Sequence, residues 1–368
     1  MSVTIGVNGF GRIGRQLVRA ALECPTVTIA AINDPFLDTD AIAYGLKYDT
    51  TAGRFSGVVE VKSKGLLAVD GRAIRTFHQS DPSLIPWAEL NVSVVVDCSG
   101  VFTTAERAAA HMGGGAPRVL IAGASADAPI IIMGCNEDTF KASATQVVSA
   151  SSCTAVALAP FLQLLHTTYG VTECAFTAIQ SATSGHRMVD GAVAGQRDPR
   201  AGRGAADNIT PMPNLAPRQL QRILPWTTGR VFGTSIRVPT SNVSLLDITV
   251  QLENAVSKVA LDQLIISQTR EGSRLHGVLG YSDEPLVSSD YLLDAHAGVY
   301  DSLASMALVP PPTSQDQASG LLSQSATNAT NTQQLPARHF KVFLWYNNER
   351  GYAKRLLDIA SRMAAAGH

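Results

Sequence analysis

The sequence predicts an α/β protein in two parts. Residues 1–150 read as a domain built on a parallel sheet, and residues 151–349 as an α+β domain with a mixed or antiparallel sheet. Three observations carry this. Short β-branched runs alternate with helix-like segments along the first part, which is the pattern of βαβ units. A glycine-rich turn joins the first strand to the first helix. From Val171 onward the strands lengthen and alternate apolar with polar residues, as strands with one covered face do.

The elements follow in order. Residues 3–7 are β-branched and alternating and predict a strand; residues 13–22 predict an amphipathic helix; residues 27–32 predict a second strand. Residues 92–96 and 119–121 are the short apolar runs of buried parallel strands. Between them, the alanine-rich residues 104–111 predict a helix that the glycines of 113–117 end. Residues 146–149 predict a further strand. In the second part, residues 173–181 and 244–252 predict longer strands, 259–269 a helix and 341–346 a strand. Residues 191–217 are rich in Gly, Pro and Arg and read as an irregular loop. A closing helix begins at Tyr352, and residues 350–368 return to complete the first domain. Residues 309–336 are almost uncharged and rich in Ser, Thr, Gln, Asn and Pro. They bury too little apolar surface to offset the entropy of ordering, so they predict a flexible insert.

Composition narrows the function classes. Hydrophobic residues make up 45% and charged residues 16%, enough for a packed core. The net charge of −1 gives no attraction to a polyanion, which argues against nucleic-acid binding. No apolar run approaches the ~20 residues that span a bilayer. The amino-terminal residues run directly into a strand without a basic, apolar leader. Cys24, Cys98, Cys135, Cys153 and Cys174 are odd in number, widely spaced and form no CxxC. That predicts free thiols in a reducing, cytoplasmic setting, with neither a disulfide framework nor a metal site.

The turn after the first strand reads "GVNGFGRIGR". Gly9, Gly11 and Gly14 form a G-x-G-x-x-G, with Asn8, Phe10, Arg12 and Ile13 around them. Glycines there let backbone N–H groups approach a pyrophosphate, and the helix N-terminus faces its charge. Asp34 follows Gly14 by 20 positions, at the end of the second strand. A carboxylate at that place accepts a hydrogen bond from a ribose 2′-hydroxyl and repels a 2′-phosphate, so NAD is favoured over NADP.

Cys153 sits in "SASSCTAVALAPF", where a polar loop becomes an apolar helical run. Ser151 and Ser152 are good helix caps, and a thiol in the first helical turn feels the positive end of the dipole. Ser152 and Thr154 flank it with hydroxyls suited to an anion. Two readings stay open on these residues alone: a nucleophile, or a small buried hydrophobe.

Taken together, "GVNGFGRIGR", "AINDPF", "YGLKYDTTAGRFSG", "SGVFTTAERAAAHMGGGAPRVLI", "SSCT", "RVPTSNVSLLDITVQLE" and "WYNNERGYAKRLLDIASRM" resemble the glyceraldehyde-3-phosphate dehydrogenase family over nearly the whole chain. The resemblance implies a Rossmann NAD domain, a catalytic domain and a homotetramer. It implies oxidation of a phosphorylated aldehyde through a thioester on Cys153. It implies that Thr183 and Arg237 hold the substrate phosphate, that Ser152 and Thr154 serve a second anion site, and that Asn348 holds the nicotinamide amide.

The sequence departs from the family where the chemistry would occur. Counting back from Val189, Gln180 stands where the family has its catalytic histidine. A glutamine amide donates a hydrogen bond but accepts no proton near neutral pH. Asn214 stands in a turn where the family has a hydroxyl, Ala155 and Val156 replace polar residues, Ser80 replaces an arginine, and Arg350 an aromatic. His186, six residues after Gln180, reads as a solvent-facing loop histidine. Three functions are compatible with this pattern: a slowed or altered dehydrogenase, an NAD-binding pseudoenzyme with a structural or regulatory role, and cysteine-dependent hydrolysis of esters or acyl phosphates.

Overall fold

A computed structural model describes residues 2–141, 145–183, 186–192, 198–309 and 333–365. Positions 310–332 of the expected flexible insert and 366–368 of the closing helix lie outside these described residues. The chain forms two compact units. One comprises residues 1–156, 292–297 and 347–368, the other residues 157–291 and 298–346.

The first unit runs β1 (Val3–Asn8), α1 (Arg12–Leu22), β2 (Val27–Asn33), α2 (Thr39–Lys47) and a short hairpin, β3 (Tyr48–Asp49) with β4 (Gly53–Arg54). It continues through β5 (Val59–Ser63), β6 (Leu66–Val69), β7 (Arg72–Phe77), β8 (Val94–Asp97), α3 (Ala105–Ala108), β9 (Val119–Ile121) and β10 (Val147–Ser149). Its sheet has the order β10-β9-β8-β1-β2-β7-β6-β5. Pairing is parallel from β10 to β7, and β6 and β5 then add antiparallel. Parallel strands are covered on both faces, and β8 is buried along its whole length. The meander from β5 to β7 is an addition to the elements expected from the residue pattern. Its signal is Asp70–Gly71, both at positive φ, the dipeptide of a tight hairpin turn.

The helix expected over 104–111 is α-helical only over Ala105–Ala108 and tightens into a 3₁₀ segment over Ala109–Gly114. Close packing accounts for this. A Cβ on Gly114 would lie 1.9 Å from the Ile85 carbonyl oxygen, so the backbone there is pressed against another loop.

A chain of buried polar groups joins the strand ends. The Gln79 N–H donates to Asn33 Oδ1 at 2.8 Å, Asn33 Nδ2 to Asn8 Oδ1 at 2.7 Å, and Asn8 Nδ2 to Asp97 Oδ2 at 2.7 Å. His111 Nε2 lies 3.0 Å from the same Asp97 oxygen, and Trp87 Nε1–H donates to His111 Nδ1 at 3.2 Å. An indole nitrogen only donates. His111 Nδ1 is therefore the acceptor, and its proton sits on Nε2, aimed at Asp97.

α4 (Cys153–Tyr169) begins in the first unit, and its residues from Ala157 belong to the second. The second unit then runs β11 (Val171–Ser181), β12 (Thr210–Pro213), α5 (Ala216–Ile223), β13 (Val231–Val238) and β14 (Ser244–Val256). α6 (Lys258–Thr269), β15 (Leu279–Ser282), β16 (Gly298–Leu308) and β17 (Ala337–Tyr346) follow. Its mixed sheet has the order β12-β13-β11-β14-β17-β16-β15. The expected irregular loop over 191–217 is corrected by β12, which adds to the sheet at its edge. Pro211 and Pro213 concealed it, since proline is tolerated in a strand only at such an edge. The closing helix α7 (Arg350–Ala365) belongs to the first unit again and packs there on α1.

Replacing His111 with leucine keeps the volume but removes one donor from Asp97 and the acceptor from Trp87. The expected cost is about 1–3 kcal/mol for buried groups left without partners, read as a lower urea midpoint with an unchanged slope.

Candidate functional site

In the first unit the strand order reverses between β1 and β8, the crevice where open parallel sheets take ligands at their carboxyl ends. Gly9 occupies it with φ +89°, and a Cβ there would meet the Ser99 backbone nitrogen at 2.6 Å. A Cβ on Gly14 would lie 2.0 Å from the Gly9 carbonyl oxygen, so α1 closes directly on the turn. Nothing lies within 4 Å of the Cβ position of Gly11, the cap of α1. That cap has no side-chain bond to the helix, which leaves helix N–H groups for an anion.

Asp34 Oδ2 accepts from the Phe10 N–H at 2.9 Å and Oδ1 from the Phe36 N–H at 3.0 Å. A carboxylate has about four acceptor positions, so two remain for a ribose diol. These residues fit a dinucleotide. The neighbouring residues act from beneath. Asn8 is buried in the polar chain, Phe10 is buried, and the Arg12 guanidinium is paired with Glu349. Ile13 is half-buried on the first turn of α1, and Asn348 is buried just before α7.

Cys153 is the first residue of α4 and is half-buried. Ser152 caps the helix, its Oγ accepting from the Ala155 N–H at 3.2 Å. Ser151 has φ +63°, its N–H donates to Ser149 Oγ at 3.0 Å, and its carbonyl accepts from the Tyr352 hydroxyl at 2.7 Å. Burial, then the nearby Cys153 and Cys98, push the Tyr352 phenol well up, so it remains a donor. Thr154 is buried, as are Ala155 and Val156. Two other thiols are disqualified as nucleophiles. Burial and the Asp97 carboxylate push Cys98 well up, and burial pushes Cys174 up to about 12. Cys24 and Cys135 are half-buried.

In the second unit, Gln180 lies near the end of β11, in register with Arg237 on β13. It is 7% exposed, and its Nε2 donates to the Tyr346 hydroxyl at 3.1 Å. Arg237 Nη1 donates to the Ser181 carbonyl at 2.9 Å. Thr183 follows at the same end of this parallel pair. Its hydroxyl lies 2.9 Å from His186 Nδ1, and its N–H donates to that nitrogen at 3.3 Å. The solvent-facing reading of His186 is thus corrected: the imidazole is half-buried and held on Thr183. Asn214 Nδ2 donates to Ser235 Oγ at 2.8 Å, and its Oδ1 accepts from the Ala216 N–H at 2.7 Å. Its amide is taken up by the start of α5.

Residues 3–105 match the NAD-binding domain of glyceraldehyde 3-phosphate dehydrogenase, and residues 152–319 match its C-terminal domain. The chain belongs to the glyceraldehyde-3-phosphate dehydrogenase family. It is 39% identical over 364 residues to the glyceraldehyde-3-phosphate dehydrogenase of Podospora anserina, covering 99% of this chain and 98% of that protein. It is 40% identical over 365 residues to that of Ajellomyces capsulatus, with 99% and 98% covered. A chloroplastic member from Arabidopsis thaliana is 38% identical over 366 residues, with 99% and 79% covered. NAD is the cofactor of the matched amino-terminal domain, in keeping with the Asp34 argument.

Sequence reasoning passed over three supporting side chains. Tyr352 holds the loop before Cys153. Asn347 Oδ1 accepts from the N–H groups of Glu349 and Arg350 and so starts α7 beside Asn348. Tyr346 orients Gln180. Of these only Asn347 had a local signal, as an asparagine directly before a helix. Among the described residues, no group of three or more His, Cys, Asp and Glu is placed to hold a metal, and no helix is long and apolar enough to cross a membrane.

Two outcomes are expected. Asp34→Ser removes the carboxylate that would face a bound ribose, so the preference for NAD over NADP is expected to fall by at least about tenfold, measured as a ratio of dissociation constants. Cys174 escapes alkylation in the native protein and is labelled only after unfolding, read by peptide mass spectrometry. Its folded pKa lies above the ordinary thiol value of 9.0, so its contribution to stability is complete below pH 9.0 and declines as pH rises toward about 12.

Proposed function

We propose that the chain oxidises a phosphorylated aldehyde of the glyceraldehyde 3-phosphate type with NAD, through a thioester on Cys153. The observation that carries this is the half-buried Cys153 at the capped start of α4. A helix N-terminus favours negative charge, and the thiolate is the form of cysteine that attacks. The Cys153 sulfur adds to the aldehyde carbon, and the carbonyl oxygen takes a proton to give a hemithioacetal. NAD, when bound, accepts the hydride that leaves this carbon. Departure of the hydride and of the hydroxyl proton leaves a thioester on Cys153. Inorganic phosphate then attacks the thioester carbonyl, the C–S bond breaks, and an acyl phosphate leaves with the thiolate restored.

The remaining residues have supporting roles in this reading. Arg237 binds the substrate phosphate through a charge-assisted pair, with the Thr183 hydroxyl beside it. Ser152 and Thr154 serve the attacking phosphate, without help from Asn214. Asn348 orients the nicotinamide amide. Gln180, held by Tyr346, donates a hydrogen bond to the reacting oxygen but cannot take its proton, which passes to water. Absence of a general base costs ~10²–10⁴ in rate, so this dehydrogenase is slow.

One observation favours a second reading. Gln180 and Asn214, the two departures nearest the chemistry, both bond to scaffold groups. An NAD-binding pseudoenzyme with a structural or regulatory role would tolerate both. In either case the family resemblance supports a cytoplasmic homotetramer. Phe232, Leu303 and Met306 stand exposed on β13 and β16, apolar surface that a second copy would cover.

The test is NADH formation from glyceraldehyde 3-phosphate and phosphate. Wild type gives a slow, Cys153-dependent rate, Cys153→Ala gives none, and Gln180→His raises kcat by about 10²–10⁴. A wild type that binds NAD yet makes no NADH above the Cys153→Ala control turns the assignment to the pseudoenzyme.

A further inference from the structure

Of the three residues that lead into α7, only Asn348 has a part in the reaction above. Its two neighbours are held firmly. Asn347 Nδ2 donates to the Leu292 carbonyl at 2.6 Å, and its Oδ1 accepts from the N–H groups of Glu349 at 3.0 Å and Arg350 at 2.8 Å. Glu349 is 2% exposed. Its Oε1 is paired with the Arg12 guanidinium, and its Oε2 accepts from the Thr51 hydroxyl at 2.8 Å. A carboxylate this deeply buried is tolerated only when paired and hydrogen-bonded, and here both oxygens are engaged. The Glu349 carbonyl accepts the first bond of the helix, from the Ala353 N–H at 2.8 Å. A Cβ on Gly351 would lie 2.2 Å from the His296 carbonyl oxygen, so the first turn is pressed against the chain on that side as well.

These bonds connect α7 to two parts of the candidate site. Arg12 is the first residue of α1, directly after Gly11 of the glycine turn. Three residues beyond Glu349, the Tyr352 hydroxyl donates to the Ser151 carbonyl, in the loop that presents Cys153. The start of α7 is thereby tied through Glu349 to the pyrophosphate turn and through Tyr352 to the thiol loop. Asn348 is the residue next to the first of these ties. All of these groups belong to the first unit.

We propose that Glu349 is a positioning residue for the nicotinamide end of NAD: by tying the start of α7 to Arg12, it fixes Asn348 at one distance from the pyrophosphate turn. This rests on the reading that Asn348 orients the nicotinamide amide. Glu349 touches neither cofactor nor substrate in this role. It acts through Asn348, so that a dinucleotide seated on the glycine turn meets the amide partner at its other end without a further adjustment of the chain.

The experiment is calorimetric titration of the full chain with NAD and with ADP-ribose, which has the adenosine, the pyrophosphate and both riboses but no nicotinamide. The quantity read is the preference for NAD, the dissociation constant of ADP-ribose divided by that of NAD. A changed field at the pyrophosphate, or a general loss of order, acts on both ligands and cancels in this ratio. Asn348→Ala lowers the preference about three- to tenfold, the scale of one hydrogen bond. Glu349→Ala lowers it by about threefold or more. Glu349→Gln keeps the volume and an acceptor for Arg12, which guards against an alanine variant that fails to fold, and lowers it by about twofold or more. In the Asn348→Ala background Glu349→Gln lowers it no further, because residues that act through one contact are not additive. Glu349 variants that weaken both ligands by the same factor, or that add their full loss to that of Asn348→Ala, overturn the proposal. If Asn348→Ala itself leaves the preference unchanged, the assignment of Asn348 to the nicotinamide amide fails and this inference with it. If Asn348→Ala lowers the preference and both Glu349 variants keep the wild-type value, only the inference fails.

Discussion

The cofactor half of this protein depends on one buried carboxylate. Asp97 ends β8 and gathers Asn8 from β1, His111 from the segment after α3, and the N–H and hydroxyl of Ser99. Ser99 is also the residue whose backbone a Cβ on Gly9 would meet first. The turn that would hold the pyrophosphate is thus registered against two strands and a loop through a single side chain. A buried network of this kind is stabilising only when every member is satisfied, and here the chain ends cleanly in an indole donor on one side and a backbone pair on the other. The glycines supply clearance for a ligand, and the network beneath them holds that clearance in place.

The two parts of the candidate site have diverged to different extents. In the first unit the glycine turn, Asp34 and the Cys153 loop keep mutually supporting contacts. In the second, the positions that would move protons and bind the attacking anion carry amides that are tied into the scaffold. Gln180 and Asn214 are not vacancies in the fold; each has been absorbed into local packing. The two amides are held in ordered hydrogen bonds to Tyr346, Ser235 and the Ala216 N–H.

The glycine turn and its βαβ setting were largely legible in the sequence because their determinants are local. The glycine spacing, the strand before it and the acidic residue 20 positions on are all encoded within one βαβ unit. The place of Cys153 at a capped helix start was legible for the same reason, as a cap followed by an apolar run. What escaped depends on distant partners. Tyr352 meets Ser151 across 201 positions and Tyr346 meets Gln180 across 166, and neither pairing leaves a local mark. The contact of His186 with Thr183 was missed because nothing in the residue pattern marks it. β12 was missed because its prolines look like loop, and edge pairing is the one circumstance that admits them.

The Tyr352 hydroxyl on the Ser151 carbonyl has a consequence for the order of synthesis. A ribosome releases the chain from its amino terminus, and amino-terminal segments fold first where they can. The loop that presents Cys153 lacks its Tyr352 bond until α7 has emerged. Until then the nascent chain carries the glycine turn and its strands without a finished Cys153 loop. The setting of the Cys153 thiol is completed only when α7 joins the strands of its own unit.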